Sequence, residues 1–388
     1  MFLVWGLDKV TFSLSRSSSG MLANWWWTVD KLLLFAVAFL LLCGIVLSMS
    51  AYPVVAKVKH ITTYHLVYKQ AAFIFVAIGS ILFFSMLSIK WTRRLAILGY
   101  VGAVFLLILT MFFGVEVKGA KRWLDIGMRI QPSEFVKPVF VVLTAWMFEI
   151  QRRYKNFPGL WVSMGLLGFT CLLLLKQPDY GMTVVVVTVW LAQVFLSGIP
   201  IRIFIILGMM ALVLFGVAYL ALPHVQVRID GLLSGIFADK PQEQVKRALD
   251  AFENGGFFGV GVGEGVVKWH IPDAHTDFIF PVVAEEYGML VCLMIVIAYA
   301  TVVIRSMWLS GKENNMFIVL SVCGLAISFG IQALVNMAST MQLGPTKGMA
   351  LPLISYGGSS LIGASIGVGM LLALTRKNVY AENRDDEG

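Results

Sequence analysis

Charge is scarce in this chain. Asp, Glu, Lys and Arg make up 13% of its 388 residues, and 59% of the residues are hydrophobic. A soluble domain carries about 25% charged residues, so a soluble globular fold is excluded. Apolar runs of helix-spanning length recur along the sequence and place it in a bilayer. Cysteine is scarcer still. Cys43, Cys171, Cys292 and Cys323 each fall inside an apolar run, and none has disulfide or ligand spacing, so all four read as small core residues. With only five histidines, none spaced as a co-ligand of another, no metal site is written in the sequence. The first thirty residues lack the apolar core and small-residue cleavage site of a secretory signal. They hold Lys9 and Arg16, so the run from Leu32 is read as a retained membrane helix. The formal charge of +8 comes from basic residues in short loops between spans, which suits anionic lipid headgroups and not nucleic acid.

What is present is an all-α integral membrane pattern of about ten transmembrane helices. They fall near 32–48, 71–89, 95–113, 135–149, 160–175, 182–197, 203–221, 278–304, 316–337 and 357–374, with a large outer loop, 222–277, between spans seven and eight. Several are short, as expected of helices buried in a bundle. An even number puts both termini on one side. With the N-terminus in the cytoplasm, the inner segments hold 15 basic residues, and the short outer loops hold five: Lys57, Lys59, Lys69, Lys176 and Lys347. The domain plan is a cytoplasmic segment 1–30, a membrane domain 31–376 and a charged tail 377–388. Trp25, Trp26 and Trp27 fit an interfacial aromatic belt. Within the long loop, Val245, Ala248, Leu249 and Phe252 recur at helical spacing. They predict an amphipathic helix on the membrane surface or over a cavity, stopped by Asn254-Gly255-Gly256.

Two outer segments oppose the charge rule. The stretch 114–137 gathers Lys118, Lys121, Arg122, Arg129 and Lys137, and the long loop adds Arg228, Lys240, Lys246, Arg247 and Lys268. Lys121 and Arg122, beside Trp123, complement phosphate oxygens. Glu134 and Lys137, three apart at a helix mouth, fit a salt bridge and a substrate contact equally well. In QPDYG, 177–181, Asp179 is either a turn residue or a carboxylate facing a groove. GVGVGEG, 259–265, matches neither G-x-G-x-x-G nor a P-loop and reads as a tight loop with close backbone approach. In HTDFIFPVVAEEYG, 275–288, Asp277 stands where the loop meets the eighth span, with His275 as a hydrogen-bonding neighbour. Glu285 and Glu286 follow two turns deeper and are functional candidates because charge inside a bilayer is costly. GPTKGMALPLISYGGSS, 344–360, reads as broken backbone lining a cavity.

Six of these stretches, KGAKRWLDIG, QPSEFVK, QPDYG, GGFFGVGVGEG, HTDFIFPVVAEEYG and LPLISYGGSS, occur in that order between about 30 and 376. The chain resembles the SEDS family (shape, elongation, division and sporulation). PTKG, WWWTVD and GEGVVK make it more similar to the division branch, alphaproteobacterial type, than to the elongation branch. The resemblance implies a glycosyltransferase that polymerises lipid II into peptidoglycan strands in the inner membrane and releases undecaprenyl pyrophosphate. It implies a class B penicillin-binding protein and other divisome proteins as partners, and a divalent cation, Mg or Mn, as a candidate cofactor with no metal ligand assigned. Asp277 is then the candidate base. Lys118, Lys121, Arg122, Trp123, Glu134, Lys137, Asp179, His275 and Ser355 are candidate substrate contacts. Where many members carry Gln and Ser, this chain has Arg247 and Ala248, so neither is given a catalytic role. A lipid II flippase, an elongation-type polymerase and a docking scaffold are the alternatives. The lack of a visible inverted repeat and the outer cations favour the enzyme.

Overall fold

The structure, a computed structural model, describes residues 20–200, isolated positions from 202 to 226, and residues 243–377, apart from 60–61, 118–119, 126, 128, 155, 272 and 344–348. Most of the expected seventh span, Lys118, most of the loop 222–242, the stretch 345–348 and both termini therefore lie outside the described residues. A short helix α1 (Met21–Thr28) leads into α2 (Lys31–Lys59), α3 (Thr63–Ser85) and α4 (Ile89–Phe113). Three short strands follow, β1 (Val115–Val117), β2 (Ala120–Asp125) and β3 (Arg129–Ile130). Then come α5 (Pro132–Arg153), α6 (Gly159–Lys176), α7 (Tyr180–Leu196), α8 (Glu243–Gly255), α9 (Ile279–Ser310), α10 (Met316–Thr340) and α11 (Gly358–Leu374). Nine expected spans thus have their helix. Helices α2, α3, α4, α6, α9 and α10 are long and apolar enough to cross a membrane, and α7 and α11 are shorter apolar helices. Helix α5 is long enough but carries Glu134, Lys137, Glu149, Arg152 and Arg153.

Burial explains how α5 tolerates those charges. It packs against α4, α6, α7, α10 and α11 and forms the interior of the bundle with α10. The outer helices turn Phe75, Phe105, Trp161 and Leu293 outward, as lipid requires. Pro132 opens α5 at a position where its missing N–H costs nothing. Gly363 lets α11 approach this end of α5 closely, since a Cβ there would lie 2.8 Å from the Glu134 carbonyl oxygen. The strands were not announced by the sequence. They form an antiparallel sheet in the order β1-β2-β3, with Val115 opposite Trp123 and Leu124 opposite Ile130.

Helix α9 is two pieces. Gly288, at φ 80° and ψ 176°, breaks it after Tyr287. The piece from Met289 to Ser310 is about 33 Å long and alone spans a hydrocarbon core of roughly 30 Å. The loop 256–261 crosses the break and supplies the missing partners. Val260 and Gly261 N–H donate to the carbonyls of Glu285 and Glu286 (2.9 and 3.1 Å), and Met289 N–H donates to Gly256 O (3.0 Å). Gly259, at φ 81°, passes so close that a Cβ would lie 2.2 Å from Glu286 O, which bears out the tight-loop reading of GVGVGEG. Helix α8 ends at Gly255, as expected. It packs on α9, with Val245, Ala248 and Ala251 buried and Phe252 against Phe280 (centroids 5.8 Å apart).

Candidate functional site

Five segments converge at one end of the bundle: the start of α5, the start of α7, the turn 273–278, the segment 349–359, and α10. The turn carries Asp277, and α9 begins just after it, with Phe278 at the cap position. Asp277 therefore stands one residue ahead of the helix cap. The 349–359 segment pins this turn by its backbone. Ser355 Oγ donates to Thr276 O (2.6 Å) and accepts from Leu351 N–H (2.7 Å), and Tyr356 N–H donates to His275 O (2.9 Å). The His275 ring lies 5.5 Å from that of Tyr356, which meets Tyr52 edge-on at 5.9 Å. Over the described residues 349–357 the backbone after α10 is non-helical, as expected, and the carbonyls of Met349 and Ala350 and the N–H groups of Leu351 and Tyr356 are bonded within the protein.

Glu134 and Lys137 lie within the same convergence, both about 95% buried, with 2.6 Å between Oε2 and Nζ. The Lys137 ammonium also donates to Gln332 Oε1, whose amide nitrogen donates to Ala350 O (3.0 Å). One turn further along α10, Asn336 Nδ2 donates to Asp277 O (2.9 Å) and Met349 O (2.5 Å). Gln332 and Asn336, about 6 Å apart along the axis, thus hold the buried ion pair and the aspartate turn against one helix face. Sequence reading missed both. Two amides four residues apart in an apolar span were the available signal.

Asp179 caps α7 through Met182 N–H (3.4 Å) and accepts from Ser133 Oγ (3.0 Å) and Gln131 Nε2 (3.3 Å). It is buried, so the turn is tied to the start of α5 through Gln131 and Ser133. Arg122, on β2, donates to the carbonyls of Gln177 (3.1 Å) and Pro178 and lies 4.0 Å from Asp179. Its guanidinium is thereby spent largely on the QPD turn, with about a third of the side chain exposed. Lys121 beside it is exposed and Trp123 half-buried. Met349 sits against Gly181, linking the α7 turn to the Asn336 anchor.

Glu285 and Glu286 serve the architecture. Glu285 Oε1 accepts from Asn254 Nδ2 (2.9 Å), Val266 N–H (2.8 Å) and Val267 N–H (2.7 Å), and Oε2 accepts from Lys268 N–H (2.8 Å). Glu286 forms a fully buried ion pair with Lys268. The two carboxylates fasten the loop 254–268 to the short first piece of α9, ahead of the break. The sequence makes them functional candidates because charge inside a bilayer is costly, and here the cost is met by these partners. Among the described residues no three His, Cys, Asp or Glu side chains stand together as a metal-binding group.

The fold and site define a multi-pass membrane protein with a polar, charged centre at one end of its helix bundle. The chain belongs to the FtsW/RodA/SpoVE family, described as cell cycle proteins, whose model matches residues 31–380. It is 40% identical to a protein of Caulobacter vibrioides named probable peptidoglycan glycosyltransferase FtsW, over 98% of this chain and 97% of that one. It is 32% identical to the protein of the same name from Legionella pneumophila, over 90% and 91%. Among solved structures, a chain reported under structural coordination of polymerization and crosslinking by a peptidoglycan synthase complex superimposes with a TM-score of 0.73. That match has 27% identity and covers 90% of this chain and 98% of that one. The rod-shape-determining protein RodA of Thermus thermophilus matches with a TM-score of 0.64 at 27% identity, covering 90% and 97%.

Proposed function

We propose that this protein is a peptidoglycan glycosyltransferase of the division type, which polymerises lipid II into glycan strands. The observation that carries the reading is the bracing of the Asp277 turn and the Glu134–Lys137 pair on one face of α10, in a chain 40% identical to a relative named for that activity. The acceptor 4-hydroxyl attacks the anomeric carbon of the lipid-linked donor. Asp277 takes the hydroxyl proton as the new C–O bond forms, and the bond to the pyrophosphate breaks with its electron pair on oxygen. Lys121, exposed on β2, and the outer edge of Arg122 face the developing negative charge, with Lys137 as a buried positive centre behind them. His275 and Ser355 hold the aspartate turn, and Trp123 and Asp179 shape the basic side. Lys118 belongs to the same basic segment. A Mg or Mn ion would have to rely on substrate oxygens, since the described residues offer no three-ligand set, and no step is routed through one.

The positive-inside distribution supports an inner-membrane protein with both termini in the cytoplasm and the Asp277 end outside. Similarity to proteins named FtsW supports a place at the septum, and similarity to a chain of a peptidoglycan synthase complex supports a class B penicillin-binding protein as partner. The test is Asp277→Asn, assayed on labelled lipid II with purified protein. Asparagine has the shape and the capping ability of aspartate but cannot accept the proton. The variant is expected to melt like the wild type and to form no glycan polymer. Near-normal polymerisation would remove Asp277 as the base.

A further inference from the structure

The end of the bundle opposite Asp277 holds a polar cavity. It has a volume of about 270 Å³ and lies between the ends of α9 and α11 and the start of α10. Arg305, Lys312, Arg376 and Lys377 line it, with Glu313 as the one carboxylate and Ile318, Val322 and Leu374 as its apolar floor. Arg305 is committed to Asp30 through two of its nitrogens, at 2.7–3.3 Å. Among the described residues no carboxylate forms an ion pair with Lys312, Arg376 or Lys377. Arg376 is half-buried, and burial pulls its guanidinium below the usual arginine range. An anion would relieve that cost. Trp308 marks the depth: it is half-exposed, and Arg305 and Lys312 lie over its ring at 4.4 and 3.4 Å. A tryptophan with lysines at the end of a span is characteristic of the headgroup level. Exposed Ile304 and Met307 continue from the cavity along the lipid-facing side of α9.

We propose that this cavity binds the phosphate of an anionic phospholipid headgroup, with the acyl chains lying along α9 beside Ile304 and Met307. Its volume is below the roughly 300–1,000 Å³ of drug-sized sites, which suits a headgroup and not a whole soluble ligand. Lys312, Arg376 and Lys377 supply the donors, and Arg305 stays with Asp30 as the fixed wall. The inference is independent of the glycosyltransferase reading.

The test uses the full-length purified protein in detergent, with native mass spectrometry counting retained phosphatidylglycerol against phosphatidylcholine. A thermal melt is recorded with each lipid and with inorganic phosphate alone. The wild type should retain phosphatidylglycerol selectively and melt higher in its presence. Arg376→Ala combined with Lys377→Ala should weaken that retention by about tenfold or more, the scale of a lost charged hydrogen bond, with an unchanged melt in phosphatidylcholine. Lys312→Ala, away from the backbone tie of Lys377 to Thr28, serves as a second variant in case the first fails to fold. Lys90→Ala removes an exposed cation elsewhere and should leave retention intact. Equal loss in Lys90→Ala would reduce the effect to general surface charge and overturn the proposal. So would a melt raised as much by inorganic phosphate, or selectivity that appears only after residues 379–388 are removed. The last outcome would assign the cavity to the chain's own acidic tail, which holds Glu382, Asp385, Asp386 and Glu387.

Discussion

Replacing Glu285 with glutamine separates an architectural carboxylate from a chemical one. Its side chain is fully buried and accepts four hydrogen bonds, three at Oε1 and one at Oε2. Glutamine has the same shape but one acceptor oxygen. The amide oxygen settles where Asn254, Val266 and Val267 converge, and the amide nitrogen then faces Lys268 N–H, donor against donor. The change forfeits a charge-assisted bond of about 1.5–3 kcal/mol and strands a buried donor at about 1–3 kcal/mol, for a total of roughly 2.5–6 kcal/mol. Whole domains are stable by only about 5–15 kcal/mol, so the loss is easily read. The first effect is local, because the loop 254–268 loses its anchor on α9 before the bundle opens. The assay is a thermal melt in detergent with hydrogen exchange over 256–270, alongside glycan synthesis per folded molecule. The expected variant melts lower, exchanges faster in that loop, and keeps much of its specific activity while folded. A variant that melts like the wild type yet makes no polymer would refute the architectural role and make Glu285 a candidate for the chemistry.

The buried Lys268–Glu286 pair should behave alike: Lys268→Ala leaves a stranded carboxylate and destabilises by about 3–5 kcal/mol, whereas Lys268→Met with Glu286→Leu is close to neutral in a melt. For the other buried pair, Glu134→Gln with Lys137→Met should recover most of the stability lost by Lys137→Met alone but not lipid II polymerisation, and full activity in the double variant would make that pair purely structural. Arg122→Lys keeps the charge but not the fork on Gln177 and Pro178, so it should lower the melting temperature and raise the lipid II concentration needed for half-maximal rate. Burial raises the Asp30 carboxyl, but hydrogen bonds from Arg305 and Leu33 N–H outweigh it and leave it below 3.8. Its stabilisation is therefore complete above pH 3.8 and lost as pH falls through the lowered value, and Asp30→Asn, which keeps the cap on Leu33, should lack this part of the acid limb.

The bundle was legible because lipid leaves few options. An apolar run near twenty residues must be a helix, and nine of the expected spans have their helix, although α2 runs on to Lys59 past the expected 48 and α3 begins at Thr63 ahead of the expected 71. The break in α9 was not legible in its own span, where Gly288 follows Tyr287 in an ordinary-looking helical run. It was written 25 residues earlier, in the alternating glycines 259–265, and only the fold brings the two together. The small sheet escaped for a related reason. Its strands are two to six residues long and alternate too briefly for a period to register.

The site was legible as a set of segments but not as a set of partners. The outer cations opposed the charge rule, and a demand from outside the protein was one explanation. The structure gives most of the described ones an internal carboxylate or carbonyl instead. Lys268 pairs with Glu286, Lys137 with Glu134, Arg129 with Asp125, Arg247 with Glu243 and the His270 carbonyl, and Arg122 with the turn at Asp179. These pairings fix the shape of the loops that carry them, whichever side of the membrane they face. The subtraction leaves Lys121, exposed on β2, and Lys246, exposed on α8, with no such partner among the described residues, and of the two Lys121 stands beside Arg122 at the Asp179 turn. Lys121→Ala should therefore weaken use of lipid II without lowering the melting temperature, and Arg122→Ala should do both. If the two variants behave identically in the melt and in the kinetics, the division between a structural and a substrate-facing cation is wrong.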